Sequence, residues 1–218
     1  MFRFTRRALQ SHHEVGAFCP SGSLLARKMT KWMSLEPHGQ SRRVLEVGAG
    51  TGPFTREILK NLKPGDSLDV VELQDDFCEI LEQDVLGPFR STNPDITVRL
   101  HNQSILEAEI EGPYDDIICG LPFNIFPVKD VDDLFECMLK QLSPSGHLVY
   151  FAYMGMTKLK WPFILFRPRL RQSLLERRQL MHQIHSHCGA TRSMVLRNLP
   201  PAWACSLSAL PANSASLS

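Results

Sequence analysis

The stretch Arg43-Val44-Leu45-Glu46-Val47-Gly48-Ala49-Gly50-Thr51-Gly52-Pro53-Phe54 constrains this chain more than any other. A short β-branched run breaks into three glycines at alternate positions and resumes as a helix-like pattern from Phe54 to Leu62. A strand that turns sharply beneath a ligand reads this way. Gly48, Gly50 and Gly52 remove side chains where a ligand has to touch backbone. Glu72 closes the next apolar run, Ser67-Leu68-Asp69-Val70-Val71. A carboxylate at the end of a second parallel strand is placed to accept both hydroxyls of a ribose. Glycine turn and carboxylate together predict a nucleoside site; a plain surface turn after an ordinary strand would leave Glu72 unexplained.

What the turn lacks narrows the ligand. The pyrophosphate fingerprint needs a further glycine three residues after the second, and a phosphate loop needs a lysine followed by serine or threonine; neither is present. Glu46 stands just before the first glycine instead. An anion there repels pyrophosphate and suits the ammonium of a methionine-like group. The pattern resembles motif I of the class I S-adenosylmethionine-dependent methyltransferases. The resemblance implies S-adenosyl-L-methionine as cofactor, with Glu46, Gly48, Gly50 and Gly52 around its methionine end and Glu72 on its ribose. Asn102-Gln103-Ser104 follows the third strand, where the methyltransferase pattern usually carries an acid that touches the adenine amine. Gln103 departs from that pattern, although its carboxamide oxygen accepts the same bond; Gln103 and Ser104 both stand as candidates.

Strand and helix patterns alternate from residue 43 on. Strands are expected over Val44–Val47, Leu68–Glu72, Ile96–Leu100, Asp116–Cys119 and His147–Tyr153. Helices are expected from Phe54 to near Pro64-Gly65, over Asp76–Val85, and over Val131–Leu142, the last stopped by Ser143-Pro144-Ser145-Gly146. Such alternation means a parallel, doubly wound α/β sheet with its ligand at the carboxyl ends of the first two strands. Arg169–His187 reads as a basic helix, and Ser193–Arg197 and Ala202–Leu207 as an antiparallel pair closing the sheet. The expected fold is therefore α/β, the Rossmann-like seven-stranded class I methyltransferase sheet with an N-terminal helical extension. It divides into a basic helical cap over 1–42, a methyltransferase domain over 43–207, and a Ser- and Ala-rich, frayed tail over 208–218.

Charge is segregated along the chain. Residues 1–43 carry 8 Lys and Arg against 2 acids, residues 44–155 carry 7 against 20, and residues 156–218 carry 9 against 1. Basic flanks around an acidic middle suggest an anionic partner, lipid headgroups or nucleic acid, or else simply solubilise helices. The 6 cysteines lack metal spacing, and the histidines show no pair with a supporting acid, so no metal and a reducing cytosol are expected. The apolar window Trp161–Phe166 is far shorter than the roughly 20 residues that cross a bilayer. The arginine-rich start is followed by polar residues and does not read as a secretory leader.

The second informative segment, Gly120-Leu121-Pro122-Phe123-Asn124-Ile125, follows the fourth strand. It resembles the Asn/Asp-Leu-Pro-Tyr-Asn-Ile loop of ribosomal RNA adenine dimethyltransferases, except that Gly120 replaces the residue that accepts bonds from the adenine amine. A broader resemblance runs to the bacterial phospholipid N-methyltransferases. It is carried by Gly16–Ala26, Glu46–Gly52, Gly120-Leu121-Pro122-Phe123, Tyr150-Phe151-Ala152-Tyr153-Met154 with Lys158-Leu159-Lys160, and Asn198-Leu199-Pro200-Pro201-Ala202. It implies methyl transfer to the amine of phosphatidylethanolamine and its methylated products, ending at phosphatidylcholine, by an enzyme peripheral to the inner face of the membrane. Leu121, Pro122 and Phe123 would then face the acceptor, Lys158 and Lys160 hold a lipid phosphate, and Tyr150 and Tyr153 assist deprotonation or attract the growing quaternary ammonium. Tyrosines that merely pack the sheet, and a Phe123 that is core, remain open. An anionic membrane surface is the expected partner, met by Arg3, Arg6, Arg7, Arg27, Lys28 and Lys31 beside Leu24, Leu25, Met29, Trp32 and Met33. The same apolar residues equally suit a helix packed on the core. An RNA adenine methyltransferase and a non-catalytic lipid-surface protein that retains the cofactor fold are the alternatives.

Overall fold

The computed structural model describes residues 22–35, 41–123, 126–153, 168–196 and 201–209. Helices α1 (Ser23–Met29) and α2 (Lys31–Leu35) lead into β1 (Arg43–Val47), α3 (Pro53–Leu59) and β2 (Ser67–Glu72). Then come α4 (Asp75–Leu81), α5 (Gly87–Thr92), β3 (Thr97–Asn102), β4 (Tyr114–Cys119), α6 (Val128–Lys140) and β5 (Leu142–Tyr153). The chain closes with α7 (Pro168–His187), β6 (Cys188–Val195) and β7 (Ala202–Ala209). The strands form one seven-stranded sheet in the order β3-β2-β1-β4-β5-β7-β6. The first five run parallel, and β7 lies antiparallel between β5 and β6. The expected fold class is the one found.

Parallel strands buried on both faces need apolar residues at successive positions. Leu68 and Val70 point one way from β2 and Val71 the other; β1 does the same with Val44 against Leu45 and Val47. One face packs Leu25, Met29 and Met33 of the amino-terminal helices with Phe54, Ile58, Leu81 and Phe151. The other packs Leu45, Val47 and Ile117 with Phe135 and Met138 of α6, Tyr150, and the half-buried Leu180, Met181 and Ile184 of α7. Strand order reverses between β1 and β4, so a crevice opens at their carboxyl ends.

Three boundaries differ from expectation for identifiable reasons. The helix expected to end at Val85 continues as a π-helical turn over Glu82–Leu86 and then as α5 through Thr92. Pro88 has no N–H to donate and would crowd the preceding turn of a regular helix; the wider π turn ahead of it accommodates the ring. The Ser143–Gly146 stop lies inside β5. Tyr114 pairs with Leu142 and Asp116 with His147, so the extra residues of β5 form a bulge. At the carboxyl end β7 runs through Ala209 and takes two residues of the expected tail; 210–218 lie outside the described residues.

The described part of the 1–42 cap is not separate from the domain. Leu25, Ala26, Met29 and Met33 are 0–5% exposed in the first core. Trp32 stacks on His147 with centroids 4.9 Å apart and planes 8° from parallel. Arg42, 4% exposed, donates from Nη1 to the Met33 carbonyl at 2.6 Å and pairs with buried Asp116 at 3.5 Å, tying α2 to the sheet.

Candidate cofactor and acceptor site

The glycine turn follows from its backbone. Gly48, Gly50 and Gly52 have φ of +73°, +57° and +83°, a region that costs an L-residue strain. A Cβ on Gly48 would strike the Leu121 side chain, whereas one on Gly50 would project into open space. The turn thus offers bare backbone at Gly50 to whatever occupies the crevice. Two carboxylates stand beside it in different states. Glu72 is held by three amides: Oε2 accepts from Gly50 N at 2.8 Å, and Oε1 accepts from Leu73 N at 2.8 Å and Gln74 N at 3.0 Å. Burial raises its carboxyl above the usual range against the pull of those three amides. They fix its orientation at the end of β2 and occupy both lone pairs of Oε1, while Oε2 keeps one for a further donor.

Glu46 is the opposite case. It is 0% exposed, and neither carboxylate oxygen has a hydrogen bond of ordinary geometry; the hydroxyl and N–H of Thr55 lie against it as its nearest donors. Burial, reinforced by Glu72, pushes its carboxyl up from 4.5 to about 8. A fully buried carboxyl with only Thr55 beside it is costly, and a cation delivered to it would restore the carboxylate. An ammonium for Glu46, hydroxyls for Glu72 and a flat approach over Gly50 are the donor set that S-adenosylmethionine brings, so the residues present fit the cofactor the sequence implies.

At the adjacent edge β3 ends at Asn102, in register with Glu72, and Asn102 Nδ2 donates to the Glu72 and Leu73 carbonyls at 3.3 Å. Ser104 Oγ accepts from Leu106 N at 3.3 Å and so closes a turn. Ser104 keeps a second lone pair and Gln103 its side-chain amide, so both adenine candidates stand at this edge.

The loop after β4 approaches the glycine turn directly. Gly120 N donates to the Val47 carbonyl at 2.8 Å, and a Cβ on Gly120 would collide with the Gly48 carbonyl oxygen. The departure at position 120 is therefore steric: the two turns are too close for the Asn or Asp of the adenine dimethyltransferases. Leu121 seals against Gly48, and Pro122 is half-buried. Phe123 is 7% exposed and packs on Phe135 and Tyr150 with centroids at 4.7 and 5.6 Å. The expectation that it faces the acceptor is corrected: its ring is core, and only its backbone belongs to the loop.

The two tyrosines separate as well. They sit at odd spacing on β5 and point to opposite faces. Tyr153 packs edge-on against Phe151 in the first core. Tyr150 is 2% exposed in the second, where it contacts His185 Nε2 at 2.5 Å. Arg192 Nη2 donates to His185 Nδ1 at 2.6 Å, so the ring proton is on Nε2 and is donated to the Tyr150 oxygen. The Tyr150 hydroxyl then donates to the Cys205 thiol. Burial pushes its proton affinity well above the ordinary phenol. The assignment of Tyr150 as a proton acceptor is thereby corrected; it is a bonded core residue. Lys158, Lys160, Arg3, Arg6 and Arg7 lie outside the described residues. No group of three metal-ligating side chains occurs among the described residues.

Sequence reasoning missed Arg177, His185 and Arg192. Arg177 Nη1 donates to the Phe123 carbonyl and Nη2 to the Phe126 carbonyl, the latter at 2.5 Å. The signal available was spacing: 177, 180, 181, 184 and 185 share one stripe of α7, with Leu180, Met181 and Ile184 turned toward the core.

Comparison with known proteins agrees with this geometry. A family model described as a methyltransferase domain matches residues 44–146, from β1 into the β5 bulge. Ornithine lipid N-methyltransferase of Singulisphaera acidiphila is 27% identical over 168 residues, 77% of this chain and 83% of that protein. Malonyl-[acyl-carrier protein] O-methyltransferase of Priestia megaterium is 26% identical over 129 residues, 59% of this chain and 43% of that one. The crystal structure of the O-methyltransferase TomG from Streptomyces achromogenes, in complex with SAM, superposes with a TM-score of 0.60 at 16% identity, covering 94% of this chain and 89% of that chain.

Proposed function

The chain is a class I S-adenosylmethionine-dependent methyltransferase, and from that premise we propose that it methylates the amine of a membrane lipid headgroup. The observation that carries the proposal is Gly120 against the Gly48 carbonyl. That contact excludes the side chain by which a nucleobase amine would be held and leaves the acceptor position lined by backbone and the apolar Leu121. The relative whose name specifies a lipid N-methyltransferase supports it. Phosphatidylethanolamine, from the motif resemblance, and an amine-bearing ornithine lipid, from that relative, are the two acceptors to compare.

Bound here, S-adenosylmethionine would supply an electrophilic sulfonium methyl to an amine that has given its proton to solvent, with S-adenosylhomocysteine as the leaving group. Glu46 would hold its ammonium, Glu72 its ribose hydroxyls, and the bare turn at Gly50 would let it lie against backbone. Leu121 and the loop behind it close the crevice on the β4 side and exclude water. Tyr150, bonded on both sides, moves no proton.

Access to such a lipid is from the membrane surface. Among the described residues no helix is long and apolar enough to cross a bilayer. The outward side of α1 and α2 carries Arg27, Lys28 and Lys31, and Leu24 is 44% exposed beside them. Lys28, Lys31 and Trp32 line a cleft against the sheet, where Thr191, Ser193 and Ser206 set hydroxyls among Val149 and Ala204. This supports docking of the amino-terminal helices on an anionic surface at about 1 kcal/mol per basic residue.

The test is label transfer from methyl-labelled S-adenosylmethionine to vesicles of phosphatidylethanolamine, ornithine lipid or phosphatidylcholine alone, and to stripped ribosomal RNA. Label is expected in one or both amine lipids, more with added anionic lipid and less at high salt. Label confined to RNA, or absent from both amine lipids, overturns the reading.

A further inference from the structure

We propose that Arg177 is a positioning residue, a clamp by which α7 fixes the loop after β4 against the cofactor crevice. This rests on the reading that this loop receives the acceptor. Its guanidinium is half-buried and spans two carbonyls of that loop, Phe123 O and Phe126 O, which flank residues 124 and 125. No carboxylate pairs with it among the described residues, its Nε is buried without a partner, and burial pulls it below the ordinary guanidinium range. A cation kept in this setting on carbonyl dipoles alone does not serve stability, since a leucine or methionine would extend the stripe of Leu180 and Met181 at lower cost. What it supplies is a planar fork that holds two points of one loop at once, which no apolar side chain does and which a lysine does poorly.

The rest of α7 makes the fork rigid. His185, eight residues on, donates to the Tyr150 oxygen, and the Tyr150 ring meets Phe123 edge-on, so the helix grips the loop by its carbonyls and through its aromatic ring. The other end of the same loop is pinned at Gly120 by the Val47 carbonyl. The acceptor position is thus suspended between the glycine turn, which belongs to the cofactor, and Arg177, which does not touch it. Loss of Arg177 leaves the cofactor contacts in place and loosens only the acceptor side.

Arg177→Ala, Arg177→Lys and, as a control on an exposed neighbour, Arg178→Ala separate these roles. In Arg177→Ala, amide exchange in the peptide covering 119–126 is expected to accelerate at least tenfold. S-adenosylmethionine affinity by calorimetry stays within twofold, and kcat on amine-lipid vesicles falls at least tenfold. Millimolar guanidinium ion restores part of the protection and of kcat. The lysine variant is intermediate in exchange and kcat; Arg178→Ala matches the parent. Unchanged exchange in folded Arg177→Ala, or cofactor affinity falling in step with kcat, overturns the clamp. If the alanine variant does not fold, the lysine variant decides on the same two readouts. If the parent labels no lipid at all, the proposed acceptor is wrong, and the exchange and affinity measurements still decide the clamp.

Discussion

The two sides of the crevice handle their polar groups in opposite ways. On the β1–β2 side Glu46 is buried with only Thr55 beside it and no hydrogen bond of ordinary geometry, and three glycines hold a backbone most residues avoid. On the β4–β5–α7 side the polar groups are joined in closed chains, Arg192 to His185 to Tyr150 to Cys205 and Arg177 to two carbonyls. The first side is incomplete by itself and is finished by a ligand; the second is closed by the protein except at the buried Nε of Arg177. On the first side unmet polar capacity marks where a small molecule binds, while the networks of the second hold the shape of the pocket around it.

The largest expected effect comes from removing that incompleteness. Glu46→Gln is expected to weaken S-adenosylmethionine by about 2 to 3 kcal/mol, on the order of a hundredfold, as a charged hydrogen-bond acceptor is lost. The ligand-free protein gains thermal stability at pH 8, because no buried charge has to form there. The sign follows from linkage: a carboxyl raised from 4.5 to about 8 contributes stability in full below 4.5 and loses it as pH climbs to 8. For the same reason cofactor binding at pH 7 should release close to one proton from Glu46, read by calorimetry in buffers of different ionisation enthalpy. Equal melting curves at pH 8, or no proton release, would show that Glu46 already has a partner in solution.

Glu72→Ala should cost about 2 kcal/mol of cofactor affinity and, unlike Glu46→Gln, also lower the apo melting temperature, since three backbone N–H groups lose their acceptor. Gly50→Ala tests the bare approach. Its Cβ meets nothing in the apo protein, so the stability cost is about 1 kcal/mol of left-handed strain, while titration should show a larger loss of ligand affinity than of stability. The smallest effect belongs to the closed side. Burial, then Arg192 and His182, hold His185 below its ordinary 6.5. Its contribution is therefore fully present above pH 6.5 and fades as pH falls below it. His185→Gln should flatten the acid limb of the stability curve and leave cofactor affinity alone; a change in affinity would mean that the two sides are coupled.

How far each side was legible follows from the same contrast. The cofactor side lies in one contiguous stretch plus Glu72, and its chemistry is local: glycines for φ, an acid before the turn, an acid after the next strand. The strand and helix alternation was readable for the same reason, because parallel strands and their covering helices keep their own periods. The acceptor side was misread because its contacts are long-range. Phe123 carries a motif position, yet whether its ring faces ligand or core is decided by Phe135 and Tyr150. Tyr150 and Tyr153 look equivalent until the strand's alternation is combined with α7. Arg177 differs from Arg178 only by the stripe it occupies. Local composition also misled at Pro88 and at Ser143–Gly146, where a π turn and a bulge absorb residues that ordinarily end an element.

The packing of α1 sets the order in which this chain becomes complete. Leu25 and Met29, near the start, share one core with Val195, Ala202 and Ala204, near the end. During synthesis the first helices can meet Phe54 and Ile58 of α3 early, but the surface they cover is complete only once β7 has emerged. Contacts at such separation are closed late and slow folding, and until then a greasy, lysine-flanked segment stays open to chaperones or to a nearby bilayer. A chain terminated before residue 202 would keep both cofactor carboxylates and the glycine turn, yet would leave the part of that surface that faces Ala202 and Ala204 uncovered.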